Sequence, residues 1–170
     1  ELTHTNISSG QPALMHMEKA LKNKINVVTG NKGPIFLKYK YLNELAGENG
    51  VKLMVGCTTG GALPSINGGL IEVAGSEITS MEGILNGTTN YILSEMMKNH
   101  ISYDEALKQA QKEGIAEKNP TLDIEGYDTA VKIIILSNVI LNTDLSLNDI
   151  KVEGISHIKK EELIVLKEQE

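Results

Sequence analysis

Arginine and tryptophan are both missing from this chain of 170 residues, so the 16 basic residues counted against 22 acidic ones are all lysines. A net charge of −6 without one guanidinium argues against nucleic acid, whose phosphates and base edges are read by the guanidinium fork. One phenylalanine and five tyrosines leave no stacking platform for single strands. Cys57 is the only cysteine, which excludes an intramolecular disulfide framework and a cysteine-rich zinc site and leads to a cytoplasmic expectation. His4, His16, His100 and His157 are scattered, without metal-ligand spacing. Long apolar runs are also lacking. Ile133–Leu136 and Val139–Leu141 are interrupted by Ser137 and Asn138 and fall far short of a bilayer span. The start, Glu1-Leu2-Thr3, has neither a basic region nor an apolar stretch behind it, so the expectation is a trimmed piece of a longer chain without a signal peptide.

What is present reads as alternating helix and strand. Ala13, Leu14, Met17, Ala20 and Leu21 recur at helical spacing within Gln11–Leu21. Ile25–Thr29 predicts a short strand, Tyr39–Glu48 a second helix and Val51–Val55 another strand, an order that implies a parallel sheet. Four glycines and Pro64 in residues 58–69 cannot all be regular structure and mark a crossover between domains. Beyond it the pattern predicts a strand over Val73–Leu85 and a helix over Thr88–Lys98, capped by Asn86 or Thr88. A fourth helix, ending at Lys112, opens on the Ser102/Glu105 capping box. After a loop at Ile115–Glu125, residues 126–141 are apolar nearly all round, the mark of a buried helix. Asp149–Gly154 reads as a strand, and a last helix starts at Lys159.

The chemistry concentrates in residues 116–132, Ala-Glu-Lys-Asn-Pro-Thr-Leu-Asp-Ile-Glu-Gly-Tyr-Asp-Thr-Ala-Val-Lys. Asp128 and Lys132 are one helical turn apart and share a face, where an exposed pair is worth only about 0.2–0.5 kcal/mol. Lys132 is followed at once by Ile133, Ile134, Ile135 and Leu136, so its stem is expected among apolar neighbours, a setting suited to proton transfer. Lys32 follows the first strand, and the carboxyl ends of parallel strands are where open α/β sheets bind ligands. Cys57 reads as a small packing residue. Met96, Met97 and Leu93 read as core or dimer surface.

The spacing A-E-x-x-P-T-x-D-x-x-G-x-D-x-x-x-K resembles the signature of homoserine dehydrogenases. Gly83–Ile92, which contains Asn86-Gly87-Thr88-Thr89-Asn90-Tyr91, and Asn26–Pro34, which contains Val27-Val28-Thr29-Gly30-Asn31-Lys32, resemble two further segments of that family in the same order. The resemblance covers nearly the whole chain. It implies reversible NAD- or NADP-dependent interconversion of L-homoserine and L-aspartate 4-semialdehyde, with Lys132 and Lys32 flanking the reacting oxygen and Asp128 orienting Lys132 or a water. Glu117 and Asp123 would take the substrate amino group, and Gly87 with Thr88 would lie near its carboxylate. Thr3, Thr5, Asn31 and Lys32 would face the cofactor. The segment Gly56–Pro64 resembles a family loop whose backbone carbonyls hold sodium, here those of Gly56, Thr59, Gly61 and Leu63. It departs from many relatives, which carry an acidic residue at the position of Gly56.

The implied architecture is α/β: part of a Rossmann-type parallel sheet (residues 1–66), an α+β substrate-binding and dimerisation domain (67–158), and the start of a C-terminal helix (159–170). The implied assembly is a homodimer. The glycine pattern G-x-G-x-x-G, which brings a dinucleotide pyrophosphate to a helix N-terminus, does not occur in the sequence. Two other readings stay open: a non-catalytic dimerisation or regulatory module of the same descent, and a dehydrogenase of another small amino-acid semialdehyde.

Overall fold

The computed structural model describes residues 1–72 and 74–167, with side chains to Leu163. The chain divides into two compact units, residues 1–82 with 131–150, and residues 83–130 with 151–170.

In the first unit, α1 (Ala13–Lys22) buries Ala13, Met17 and Leu21, positions one turn apart, and Lys19 and Lys22 in its last turn complement the helix dipole. Full burial of side chains such as Met17 and Leu21 stabilises by about 1.5–3 kcal/mol each. α1 packs on α2 (Lys32–Glu48) and on the strand β1 (Val27–Val28), and β1 pairs in parallel with β2 (Leu53–Met54), in the register Val27 with Leu53 and Val28 with Met54. The parallel pairing expected from the alternation is therefore present, with α2 as the crossover that parallel strands require. Val27 points inward and Val28 is 66% exposed, the alternation of a pleated strand.

α2 begins seven residues before the expected Tyr39. Pro34 occupies the first turn, where its missing N–H removes no helical bond, and the Asn31 side chain caps the end by accepting from the Gly33 N–H at 3.2 Å. The helix bends at Lys38, whose φ of −147° is not helical. The glycine-rich stretch resolves into turns followed by a helix, α3 (Ser65–Glu72). In α3, the bare Cα of Gly69 admits the Ile140 side chain, whose Cδ1 would lie 2.5 Å from a Cβ added there.

The second unit is helical. α4 (Gly87–Asn99) packs against α5 (Tyr103–Lys112), α6 (Thr121–Ile124) and α8 (Lys160–Lys167) around Ile92, Met96, Ala106, Ala110, Ala116 and Leu163. Met96 is fully buried there, with Leu93 and Met97 at the edge of the cluster. α7 (Tyr127–Ile140) starts in the second unit and from Val131 onward belongs to the first; it carries buried Ala130, Val131, Ile134, Ile135, Leu136 and Val139, as its apolar circumference requires. Its polar Asn138 is satisfied by the turn that follows: it donates to the Leu145 carbonyl at 2.9 Å and accepts from the Leu145 N–H at 2.7 Å and the Thr143 hydroxyl at 2.8 Å.

Two expected strands are corrected. Residues 74–85 form no ladder, and Val73 lies outside the described residues; residues 149–154 open with a 3-10 turn, Leu147–Asp149, capped through a Ser146/Asp149 box. β-branched pattern predicts extension, whereas a ladder also needs a partner edge, and among the described residues the ladder is β1 with β2. Among the same residues no helix is long and apolar enough to cross a membrane. The expected last helix appears as α8, and residues 168–170 lie outside the description.

The Ser102/Glu105 box closes in both directions, and the Ser102 backbone N–H and then its hydroxyl hold the Glu105 carboxyl below the usual glutamate range. A lowered folded-state pKa contributes stability that is complete above the unfolded value and is lost as pH falls through the folded one. Glu105→Gln should therefore flatten the acid side of the melting-temperature profile between about pH 6 and 3. Identical profiles for the variant and the parent would refute this.

Candidate active site

Asn86 precedes α4 with extended backbone, and its side chain caps the helix: Oδ1 accepts from the Thr89 N–H at 2.9 Å and from the Thr89 hydroxyl at 3.1 Å. The same side chain turns its amino group the other way. Nδ2 donates to Asp123 Oδ1 at 2.6 Å and to Asp128 Oδ2 at 3.0 Å, so one amide joins a carboxylate of α6 to a carboxylate of the first turn of α7. Asn86 is buried, and hydrogen bonds to charged acceptors are each worth about 1.5–3 kcal/mol net.

Beside this pair begins α4, with Gly87 and Thr88 in its first two positions, where backbone N–H groups have no partner inside the helix. The Thr88 side chain is buried and donates to the Ile115 carbonyl at 3.2 Å. Carboxylates and a helix N-terminus thus meet at Asn86, a negative and a positive element one residue apart. This is a receptor pattern for a small zwitterion.

The α6–α7 junction is held by close backbone approach. Ile155 N–H donates to the Ile124 carbonyl at 2.8 Å, and a Cβ on Gly126 or Gly154 would lie 2.7 Å from the Glu153 carbonyl oxygen or 2.6 Å from that of Ile124. Gly126 also has φ of +84°, so both conformation and space demand glycine between Asp123 and Asp128.

Lys132 is half-buried on α7, one turn beyond Asp128. Lys32 is half-buried as the first residue of α2, past the carboxyl end of β1. Glu117 is exposed in the loop after α5, its carbonyl accepting from Gln111 Nε2 at 3.2 Å. The structure therefore brings Asp123, Asp128, Gly87 and Thr88 together around Asn86.

The residues expected to face a cofactor form a brace in the first unit. Asn31 is 2% exposed, and its Nδ2 donates to the Thr3 carbonyl at 2.9 Å while its Oδ1 accepts from Gly33. Its side chain thus shapes the segment carrying Thr3 and Thr5. Thr3 itself donates its N–H to the Glu1 carboxylate at 2.9 Å. In the glycine-rich turn, the Leu63 carbonyl accepts from the Ser65 N–H at 2.9 Å, Gly61 has φ of +58°, and a Cβ on Gly56 would lie 3.0 Å from Asn67 Nδ2. Among the described residues no group of three or more His, Cys, Asp or Glu side chains could hold a metal ion. Exposed Cys57 places Sγ 3.7 Å from the Thr29 carbonyl.

Two residues were not assigned their full roles by the sequence. Asn86 reads only as a cap, and the Asn-Gly-Thr-Thr start of α4 carries no sign that its amide reaches residues 37 and 42 positions away. Gly126 reads as a helix boundary, and only the neighbouring Glu153 backbone shows why it must be glycine.

A parallel α/β unit and a helical unit bearing a carboxylate pair beside a helix N-terminus define a protein of mixed α/β class. Residues 64–170 match the family model for homoserine dehydrogenase, and the chain belongs to that family. It is 49% identical over 165 residues to a homoserine dehydrogenase of Methanocaldococcus jannaschii, covering 97% of this chain and 49% of that protein. A relative from Pseudomonas canavaninivorans, an NAD(+)-dependent homoserine dehydrogenase, is 40% identical, with 96% of this chain and 46% of that protein aligned. Among solved structures, a homoserine dehydrogenase described as putative from Archaeoglobus fulgidus superposes with a TM-score of 0.87 at 42% identity, over 92% of this chain and 48% of that one. A hyperthermophilic archaeal homoserine dehydrogenase mutant in complex with NADPH superposes at 0.81 and 30% identity, over 90% and 47%. The chain spans about half the length of the curated relatives it matches.

Gly126→Ala should cost about 1–3 kcal/mol, because strained φ and a backbone clash coincide. Urea unfolding measures it, and a loss below about 0.5 kcal/mol would mean that the junction relaxes freely.

Proposed function

We propose that this chain carries the substrate-binding part of a homoserine dehydrogenase, which interconverts L-homoserine and L-aspartate 4-semialdehyde with NAD or NADP. The observation that carries the reading is the Asp123–Asn86–Asp128 bridge at the start of α4. In it, Asp123, with Glu117, takes the substrate ammonium, and the N–H groups of Gly87 and Thr88 take its carboxylate. Neither charge then needs a mobile partner, and the reacting carbon is held at a fixed distance from both anchors.

Lys132 moves the proton of the hydroxyl or aldehyde oxygen, held on its helix face by Asp128, and Lys32 stabilises negative charge developing on that oxygen. A nicotinamide, when bound, supplies or accepts the hydride. The end of β1 followed by the start of α2 is the kind of place where open α/β sheets bind dinucleotides, and Thr3, Thr5, Asn31 and Lys32 belong to it. Asn31 does so through the brace that shapes residues 1–6. Residues 1–66 are read as part of the dinucleotide-binding domain, 67–158 as the substrate-binding and dimerisation domain, and 159–170 as the start of a further helix. A sodium ion would be held by the carbonyls of Gly56, Thr59, Gly61 and Leu63, neutral oxygens suited to a hard monovalent cation, with one lone pair of the Leu63 carbonyl already engaged. The same reading includes a cytoplasmic homodimer.

In the full-length enzyme, Lys132→Ala should lower kcat about 100-fold or more while homoserine KM changes only a few-fold, the signature of a lost proton carrier. Unchanged kcat would remove Lys132 from the chemistry. Titrated calorimetrically with NAD, the 170-residue chain alone should bind weakly, since the pyrophosphate-binding glycine pattern is absent from its sequence. A low-micromolar dissociation constant would overturn that division of labour.

A further inference from the structure

We infer that Asn86 is a positioning residue for both acidic groups of the amino-acid site, acting through Asp123 and Asp128 without touching the substrate; the inference rests on the reading of that site given above. Asn86 is 5% exposed and its polar atoms are fully engaged. The orientation of the amide is fixed by its surroundings. A backbone N–H, that of Thr89, can only donate, so the atom facing it must be the oxygen. The two nitrogen protons are then left for the two carboxylates. A reversed amide would set oxygen against both anions and two donors against each other.

Two carboxylates drawn to one point repel, and protonating one of them relieves the repulsion at the expense of its charge. A neutral group with two diverging protons offers another solution, because each anion receives its own hydrogen bond. Asn86 thereby couples two functions. Asp123, facing the ammonium, and Asp128, facing Lys132, are oriented by the same side chain, so substrate affinity and turnover should respond together to a change at position 86.

Cap and bridge separate by substitution. Serine and aspartate both cap helices about as well as asparagine, so Asn86→Ser and Asn86→Asp keep the bond to Thr89. Serine lacks the amino group, and aspartate puts a third carboxylate where the donors stood. In the full-length enzyme, both variants should keep the α4 start but melt below the parent, Asn86→Asp the lower, because the two bonds to the carboxylates are gone. Homoserine KM should rise about tenfold for serine and further for aspartate, and kcat should fall in the same order. A residue that merely caps α4 would give three enzymes alike in KM and kcat, and that outcome would overturn the proposal. If the parent enzyme does not act on homoserine at all, the substrate assignment fails instead. The bridge is then judged by the crystal structure of Asn86→Asp, in which the Asp123 and Asp128 carboxylates should turn away from position 86. Carboxylates left in place there would refute it.

Discussion

Two anions held to one amide set the terms for the rest of the second unit. Asp123 Oδ1 and Asp128 Oδ2 accept from the same nitrogen, and everything around them serves to keep that nitrogen where it is. The oxygen of the amide is tied to the first turn of α4, α4 is seated by Ile92 and Met96 against the alanines of α5, and the α6–α7 junction is pinned by Gly126 and Gly154 at bare backbone contacts. A polar network of this kind is stable only when each member is satisfied, and the members named here are.

The first unit obeys a different constraint. Parallel strands cannot be joined by a tight turn, so α2 must cross between β1 and β2, and its start falls beside the strand end. Lys32 follows directly from that geometry. Asn31, capping α2 while bracing residues 3 and 4, ties the preceding segment to the same corner.

Much of this was legible in the sequence where local physics decides. The helical spacing of Ala13, Met17 and Leu21, the Ser102/Glu105 box, and the apolar circumference of α7 depend on neighbours within a few positions, and each formed as expected. Extension at Val73–Leu85 and Asp149–Gly154 was a different matter: pairing depends on a distant edge, which β-branched residues cannot specify. The early start of α2, ahead of Tyr39, has a related cause, since proline breaks a helix interior but favours a helix start, and the Asn31 cap decides between the two. Spacing put Asp128 and Lys132 one turn apart on a helix because helices make that relation local, and both fall on α7. The bridge through Asn86 spans dozens of residues and had no local signal.

Because a single side chain both closes the end of α4 and holds the carboxylates, opening of that helix end and loss of the anion pair are one equilibrium. The amide proton of Thr89 exchanges with solvent only when the Asn86 oxygen lets go, and at that moment the carboxylates lose their common anchor. Any molecule captured by the anchored pair draws on the closed state alone, so occupancy would register as slower isotope exchange at Thr89, inside a helix the molecule need not contact through that residue.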